Sequence, residues 1–378
     1  MKNPLILLIA FVFCAGPALA EPAFDADALH VLLEKVREEK KVPALAAAVV
    51  RADGLVAADA VGVRKARTKK AVTVDDCFHI GSCTKSMTAT LCAMLVEKGK
   101  LSWDRTIAVA FPSLVETIHP DYHKVTLEQL LCHRSGLPED RAPDPKTWPK
   151  VRALKGPMPQ QRVSMMEIIL PRPPATEPGT TFAYSNYGFA IAGAMCEAAT
   201  GKAYEELIRT MLFEPLGMTS AGFGAPGSDG DANQPWGHDA GMGAYSAVKP
   251  GPLSDNPAVI SPAGLAHMSI GDWAKYGQFH LKGFRGGGDL LSASSFKKLH
   301  EVSPGQDYVC GWLIRKEDWA GGTTLWHNGS NGRWFAVIQI APAKDFAVVV
   351  ATNAADAAAQ EACRDVTRGI RAAMLSGK

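Results

Sequence analysis

Ser82-Cys83-Thr84-Lys85 places an amine three residues after a hydroxyl, and a helix beginning there sets both side chains on one face. The strand-like Phe78-His79-Ile80-Gly81 comes directly before, and the apolar run Met87 to Val96 directly after. A serine at such a strand-to-helix junction meets free N–H groups and the positive end of a helix dipole. That is a way to activate a serine without a Ser-His-Asp triad. The spacing alone does not select it, since S-x-x-K also begins at Ser246, Ser294 and Ser295. Those three lie in loop or surface-helix composition, so context singles out Ser82.

Two further groups of residues carry usable chemistry. Tyr184-Ser185-Asn186 follows the turn-like Glu177-Pro178-Gly179 and precedes an apolar helical run from Tyr187 to Ala199. A lysine ammonium near a tyrosine favours the phenolate, which can take a proton from serine and return it to a leaving group. Asn186 can bond both Lys85 and a substrate carbonyl. The plainer reading is a helix entry capped by Ser185 or Asn186, with Tyr184 packed in a core. His327-Asn328-Gly329-Ser330 follows the strand-like Thr323–Trp326. There Gly329 allows close approach of backbone to a ligand, and the Ser330 N–H is a candidate second oxyanion donor beside that of Ser82. His327 is placed to orient or protonate a leaving group.

The elements needed to position these groups are visible in the pattern. Asp27 to Lys40 reads as an amphipathic helix through Leu29, Leu32, Leu33 and Val36. Leu45–Val50 and Leu55–Val63 read as strands joined at Ala52-Asp53-Gly54. Trp334–Ile340 and Phe346–Ala351 read as strands joined around Pro342, and Ala354 to Met374 as a closing helix. Strands near both ends with helices between imply an α/β (α+β) fold, one sheet built from both termini with a helical domain inserted. The expected division is 21–82 with 300–378 for the α/β part and 83–299 for a mainly helical insert. Two loop-rich stretches, Pro138 to Pro159 and Ala221 to Pro262, are long enough to serve as binding loops, with Trp148, Trp236 and Tyr245 as the aromatics available there.

Composition removes several function classes. The formal net charge is +2 with acids and bases mixed throughout, which points to no nucleic-acid partner. Lys2, the apolar Leu5 to Phe13, and Ala18-Leu19-Ala20 read as a signal peptide over 1–20 cleaved after Ala20, leaving a secreted or periplasmic protein with no integral membrane span. Seven cysteines then remain and no C-x-x-C occurs, so neither a zinc ribbon nor thioredoxin-type chemistry is expected. His119 and His123 have helical spacing, but Pro120 lies between them and there is no H-E-x-x-H, so no metal site is assigned. No serine has glycine two residues before it, which excludes the G-x-S-x-G elbow of α/β-hydrolases.

Taken together, in this order, Ser82-x-x-Lys85, Tyr184-x-Asn186 and His327-x-Gly329 resemble the serine β-lactamase and penicillin-binding-protein superfamily, and more closely its class C β-lactamase-like hydrolases. Leu130-Leu131-Cys132-His133-Arg134-Ser135-Gly136-Leu137-Pro138 and Ser261-Pro262-Ala263-Gly264-Leu265 add to the likeness. The resemblance implies an acyl-enzyme on Ser82, with Lys85 and Tyr184 as a coupled acid-base pair, Asn186 holding Lys85, no cofactor, and a small-molecule or peptidoglycan-derived substrate. It implies an ester or amide of a small or D-amino-acid-type compound, with D-alanyl-D-alanine carboxypeptidase or β-lactamase activity as one alternative and a non-catalytic peptidoglycan-binding relative as another. His327 stands where family β-lactamases carry the lysine of K-T-G. A partly charged histidine supplies less for a substrate carboxylate, and Arg333 is the candidate to replace that charge.

Overall fold

Alternate residues of one strand enter two different cores, and this explains the apolar runs at both ends of the chain. In β1 (Ala44–Arg51), Leu45, Ala47 and Val49 join one cluster while Ala46, Ala48 and Val50 join the other. The computed structural model describes residues 24–140, 145–227, 233–241, 243–251 and 253–376; the leader expected over 1–20 lies outside them. β1 returns through a turn at Ala52 and Asp53 into β2 (Gly54–Gly62). The C-terminal part adds β3 (Tyr308–Val309), β4 (Trp312–Glu317), β5 (Gly322–Ser330), β6 (Phe335–Ala341) and β7 (Phe346–Thr352). These seven strands form one antiparallel sheet in the order β3-β4-β5-β6-β7-β1-β2. The two termini meet inside it, with Ala48 of β1 opposite Val349 of β7.

Six helices of twelve or more residues stand among the described residues: α1 (Ala26–Lys40), α2 (Thr84–Glu97), α3 (Met158–Ile169), α4 (Asn186–Thr200), α5 (Ile270–Phe284) and α6 (Ala357–Ser376). α1 starts where the Asp25 carboxylate accepts the Ala28 N–H and ends at Lys41 in the left-handed conformation. Its Leu29, Leu33 and Val36 join Ala362, Val366 and Ile370 of α6 on the outer face of the sheet. The inner face is covered by α5, whose Ile270, Trp273 and Ala274 lie in the same core as Ala46, Val349 and Ile338. Beside it, α2 is buried on every side from Thr84 to Leu95, as a helix without a polar face must be. The chain is thus mixed α/β with a large antiparallel sheet. Within 83–299, α5 packs directly on the central sheet, against β1 and β7.

The Ile370 side chain is fully buried between α6 and the sheet. Ile370→Ala is expected to lower unfolding free energy by about 2–5 kcal/mol, the range for deleting a large core side chain, measured by urea denaturation.

Candidate active site

The short strand Cys77–His79 pairs with Ala266–Ser269 and delivers the chain into a tight turn at Gly81–Cys83, which runs on into α2. Ser82 therefore sits in a 3₁₀ turn just ahead of the α-helix rather than in its first turn. Gly81 makes this possible with φ +51°, and Thr84 ties the turn by donating its hydroxyl to Gly81 O at 2.7 Å. One turn further on, Lys85 is fully buried. Its ammonium donates to Ser82 Oγ at 3.1 Å, Asn186 Oδ1 at 2.7 Å and Ala263 O at 2.7 Å. The Tyr184 ring centroid lies 4.7 Å from the same nitrogen. Ser82, Lys85, Tyr184 and Asn186 are brought together from segments about a hundred residues apart.

Asn186 is held in turn by a residue that sequence reading passed over. The buried Asp140 carboxylate accepts the backbone N–H groups of Asn186 (2.6 Å) and Tyr187 (3.1 Å) at the start of α4. The Asn186 Nδ2 donates to Asp140 Oδ1 and to Asp140 O, which leaves Oδ1 of the amide for Lys85. Burial raises the Asp140 carboxyl above its ordinary value, opposed by those N–H groups and by the Lys85 charge. His133 supports the other side of the loop. Its Nδ1 accepts the Ser185 N–H at 3.0 Å, and its ring lies 4.3 Å from that of Tyr184 and 4.8 Å from that of Tyr308. Local pattern could have flagged His133 only through its place in the short motif before Gly136.

β5 brings His327-Asn328-Gly329-Ser330 against the Ser82 turn. A Cβ on Gly329 would stand 2.0 Å from Ile80 O and 2.5 Å from Ser82 N, and one on Gly81 would stand 2.2 Å from Ser330 N. Only glycine at both positions lets the two backbones approach this closely, so the Ser82 and Ser330 amides border one narrow gap. His327 is buried, and its Nδ1 faces Asn328 O at 2.5 Å. That nitrogen carries the proton, leaving Nε2 to accept from Tyr308 O–H at 3.4 Å. Burial, helped by the Lys85 charge, lowers the His327 value to about 3. The expectation of a partly charged histidine is corrected: in this setting it stays neutral across physiological pH.

These groups open into a cleft of about 620 Å³, with Phe182, Tyr308 and Phe335 among its walls. Among the described residues, Arg134 and Asp307 also line it and bring solvent-facing charges of opposite sign. Arg134 anchors its guanidinium on Thr180 O. Arg333, expected as a substrate-binding cation, does not reach the cleft. Its guanidinium stands 3.1 Å from the Asp239 carboxylate and donates to Ser254 O at 3.2 Å, so the chain turns it away from His327. The loop aromatics are elsewhere too: Trp148 lies by Tyr187, Trp236 beneath Lys65, and the Tyr245 hydroxyl on Asp356.

A helix-flanked antiparallel sheet with a serine, a lysine, a tyrosine and an asparagine at one cleft is the arrangement of a serine hydrolase of the β-lactamase fold. A family model described as Beta-lactamase matches residues 30–369, and the chain belongs to that family. It is 26% identical over 332 residues to penicillin-binding protein 4 of Amycolatopsis lactamdurans, covering 85% of this chain and 83% of that one. It is 28% identical over 305 residues to an unguisins hydrolase of Aspergillus campestris, covering 75% of this chain but only 53% of that one. Its fold also matches the D-amino acid amidase of Ochrobactrum anthropi, with a TM-score of 0.70 at 22% identity over 93% of this chain and 97% of that one.

Buried neutral histidines make the protein sensitive to acid. Burial lowers His267 to about 4 and His300 to about 3, as it does His327. The unfolded chain takes up these protons near the ordinary histidine value of ~6.5, so it binds more protons than the folded chain between there and ~4. Stability is therefore full above ~pH 7 and falls as pH drops. The raised carboxyls of Asp140 and Glu197 oppose this in their own range. The urea midpoint is expected to be lower at ~pH 5 than at ~pH 7.5, with a smaller difference in His267→Asn.

Proposed function

We propose that this protein is an exported hydrolase that cleaves an ester or amide of a small or D-amino-acid-type substrate through an acyl-enzyme on Ser82. The observation that carries this reading is the Lys85 ammonium bridging Ser82 Oγ and Asn186 Oδ1. Ser82 Oγ attacks the substrate carbonyl, and its proton passes to the Lys85–Tyr184 pair. The carbonyl oxygen becomes an oxyanion between the Ser82 and Ser330 N–H groups. The carbonyl reforms as the C–O or C–N bond to the leaving group breaks, and Tyr184 returns the proton to that group. Water then attacks the ester, and Ser82 regains its hydrogen. Neutral His327 shapes the cleft beside this centre through Tyr308 and supplies no charge.

Export is supported by the leader-like residues 1–20; among the described residues, no helix is long and apolar enough to cross a membrane. The D-amino-acid side of the reading is supported by the match to an amidase of that class. A second reading, a D-alanyl-D-alanine carboxypeptidase or β-lactamase, is favoured by one observation: Arg134 gives the cleft a cation that a substrate carboxylate can meet. Asp307 on the same cleft suits a substrate ammonium instead, and so favours a free amino acid amide.

Ser82→Ala is expected to abolish turnover of p-nitrophenyl and D-amino acid amide substrates, and turnover retained by the pure, folded variant overturns the mechanism. Tyr184→Phe is expected to lose on the order of 10²–10⁴ in kcat. Intact-mass spectrometry after brief exposure to benzylpenicillin separates the two substrate readings. A persistent Ser82-dependent adduct favours the carboxypeptidase-like reading, whereas no adduct with intact penicillin favours the esterase or amidase.

A further inference from the structure

A chain of side chains outside the catalytic group joins the two halves of the oxyanion gap. The Gly81 N–H, immediately before Ser82, donates to His79 Nδ1 at 3.1 Å. Because Nδ1 accepts, the imidazole proton lies on Nε2, which stands 3.0 Å from Asp255 Oδ2 in a close polar contact rather than an aligned hydrogen bond. The other oxygen, Asp255 Oδ1, accepts from Asn331 Nδ2 at 2.9 Å, and Asn331 immediately follows Ser330. His79 is fully buried and Asp255 nearly so. The Asp255 carbonyl also accepts from Arg152, and its carboxylate from the Asn256 N–H at 2.7 Å, which anchor the middle of the chain. Burying a carboxylate is costly unless its partners compensate, and here two of those partners flank the two proposed oxyanion donors.

We propose that His79, Asp255 and Asn331 form a clamp that fixes the spacing and direction of the Ser82 and Ser330 N–H groups, which makes Asp255 and Asn331 positioning residues for the reaction. This inference rests on the Ser82 acyl-enzyme reading. The glycine contact between residues 81 and 329 stops the two backbones from closing further but does not stop them from sliding or opening. The clamp supplies that restraint through residues adjoining each donor. Oxyanion donors act only when held within hydrogen-bond reach of the developing charge, so a shift of about 1 Å is expected to cost up to 10²-fold.

Asp255→Ala, Asn331→Ala and the double variant provide the test. The readouts are kcat and KM on p-nitrophenyl acetate, labelling by a fluorophosphonate, the Kd of a phenylboronic acid and the melting temperature. The boronate forms a tetrahedral adduct on Ser82, so it reports the oxyanion gap, whereas KM reports ground-state binding. The clamp predicts that kcat and boronate affinity fall together by about tenfold or more, with KM within about twofold. It also predicts that the double variant is no worse than the poorer single, because both break one chain. Asn331 is half-exposed, so its variant stays interpretable even where Asp255→Ala melts early. Additive losses, a raised KM with unchanged boronate affinity, or folded variants within twofold of wild type in kcat each overturn the clamp. A wild-type protein that fluorophosphonate does not label at Ser82 overturns the acyl-enzyme reading and the clamp with it; normal labelling in wild type and variants alike overturns the clamp alone.

Discussion

Burying the Lys85 ammonium is the constraint to which the rest of the site is fitted. An unpaired charge inside a protein costs several kcal/mol, so the fold must surround it with oriented acceptors. It does so with Ser82 Oγ, Asn186 Oδ1 and Ala263 O, each from a different segment. Those acceptors need fixing themselves. Asp140 holds the Asn186 amide so that its oxygen points inward, and it brings a carboxylate into the same low-dielectric surroundings. The Lys85 charge also helps keep His327 neutral, so one buried cation excludes a second next to it.

The sheet topology explains how distant segments converge on that ammonium. β5 lies beside β6 and places its last residues against the turn that starts α2. The small sheet of Cys77–His79, Ala266–Ser269 and Gly222–Phe223 aims that turn and leaves the Ser261–Gly264 helix next to Lys85. Thr84 reinforces the junction by donating to Gly81 O while accepting the Ala266 N–H. With the sheet packed on both faces, small movements at the site are resisted by two cores at once.

The parts legible in the sequence are those whose signal is local. The hairpin β1–β2, the helix α1 and the junction at Ser82 follow from periodicity and turn residues within a few positions. Asp140 and Asp255 left no such trace, because their meaning lies in partners 46 and 76 residues away. The same holds for Arg134, which is recognisable as a cleft cation only once it is seen lining the same cleft as Phe182 and Tyr308. Arg333 failed for the converse reason. Nearness to His327 in sequence implied nearness in space, but the turn after Ser330 reverses the chain into β6 and directs the side chain to Asp239.

A neutral histidine at position 327 changes what the cleft can recognise. Where a lysine would impose fixed positive charge beside the reacting carbonyl, this protein presents an imidazole held by Asn328 O and Tyr308. Among the described residues, the cation lining the cleft is instead Arg134, tethered to Thr180 O. Asp307 adds an anion on the same cleft. At Ser82 itself the charge is the buried Lys85 ammonium, set among aromatic rings, amides and backbone.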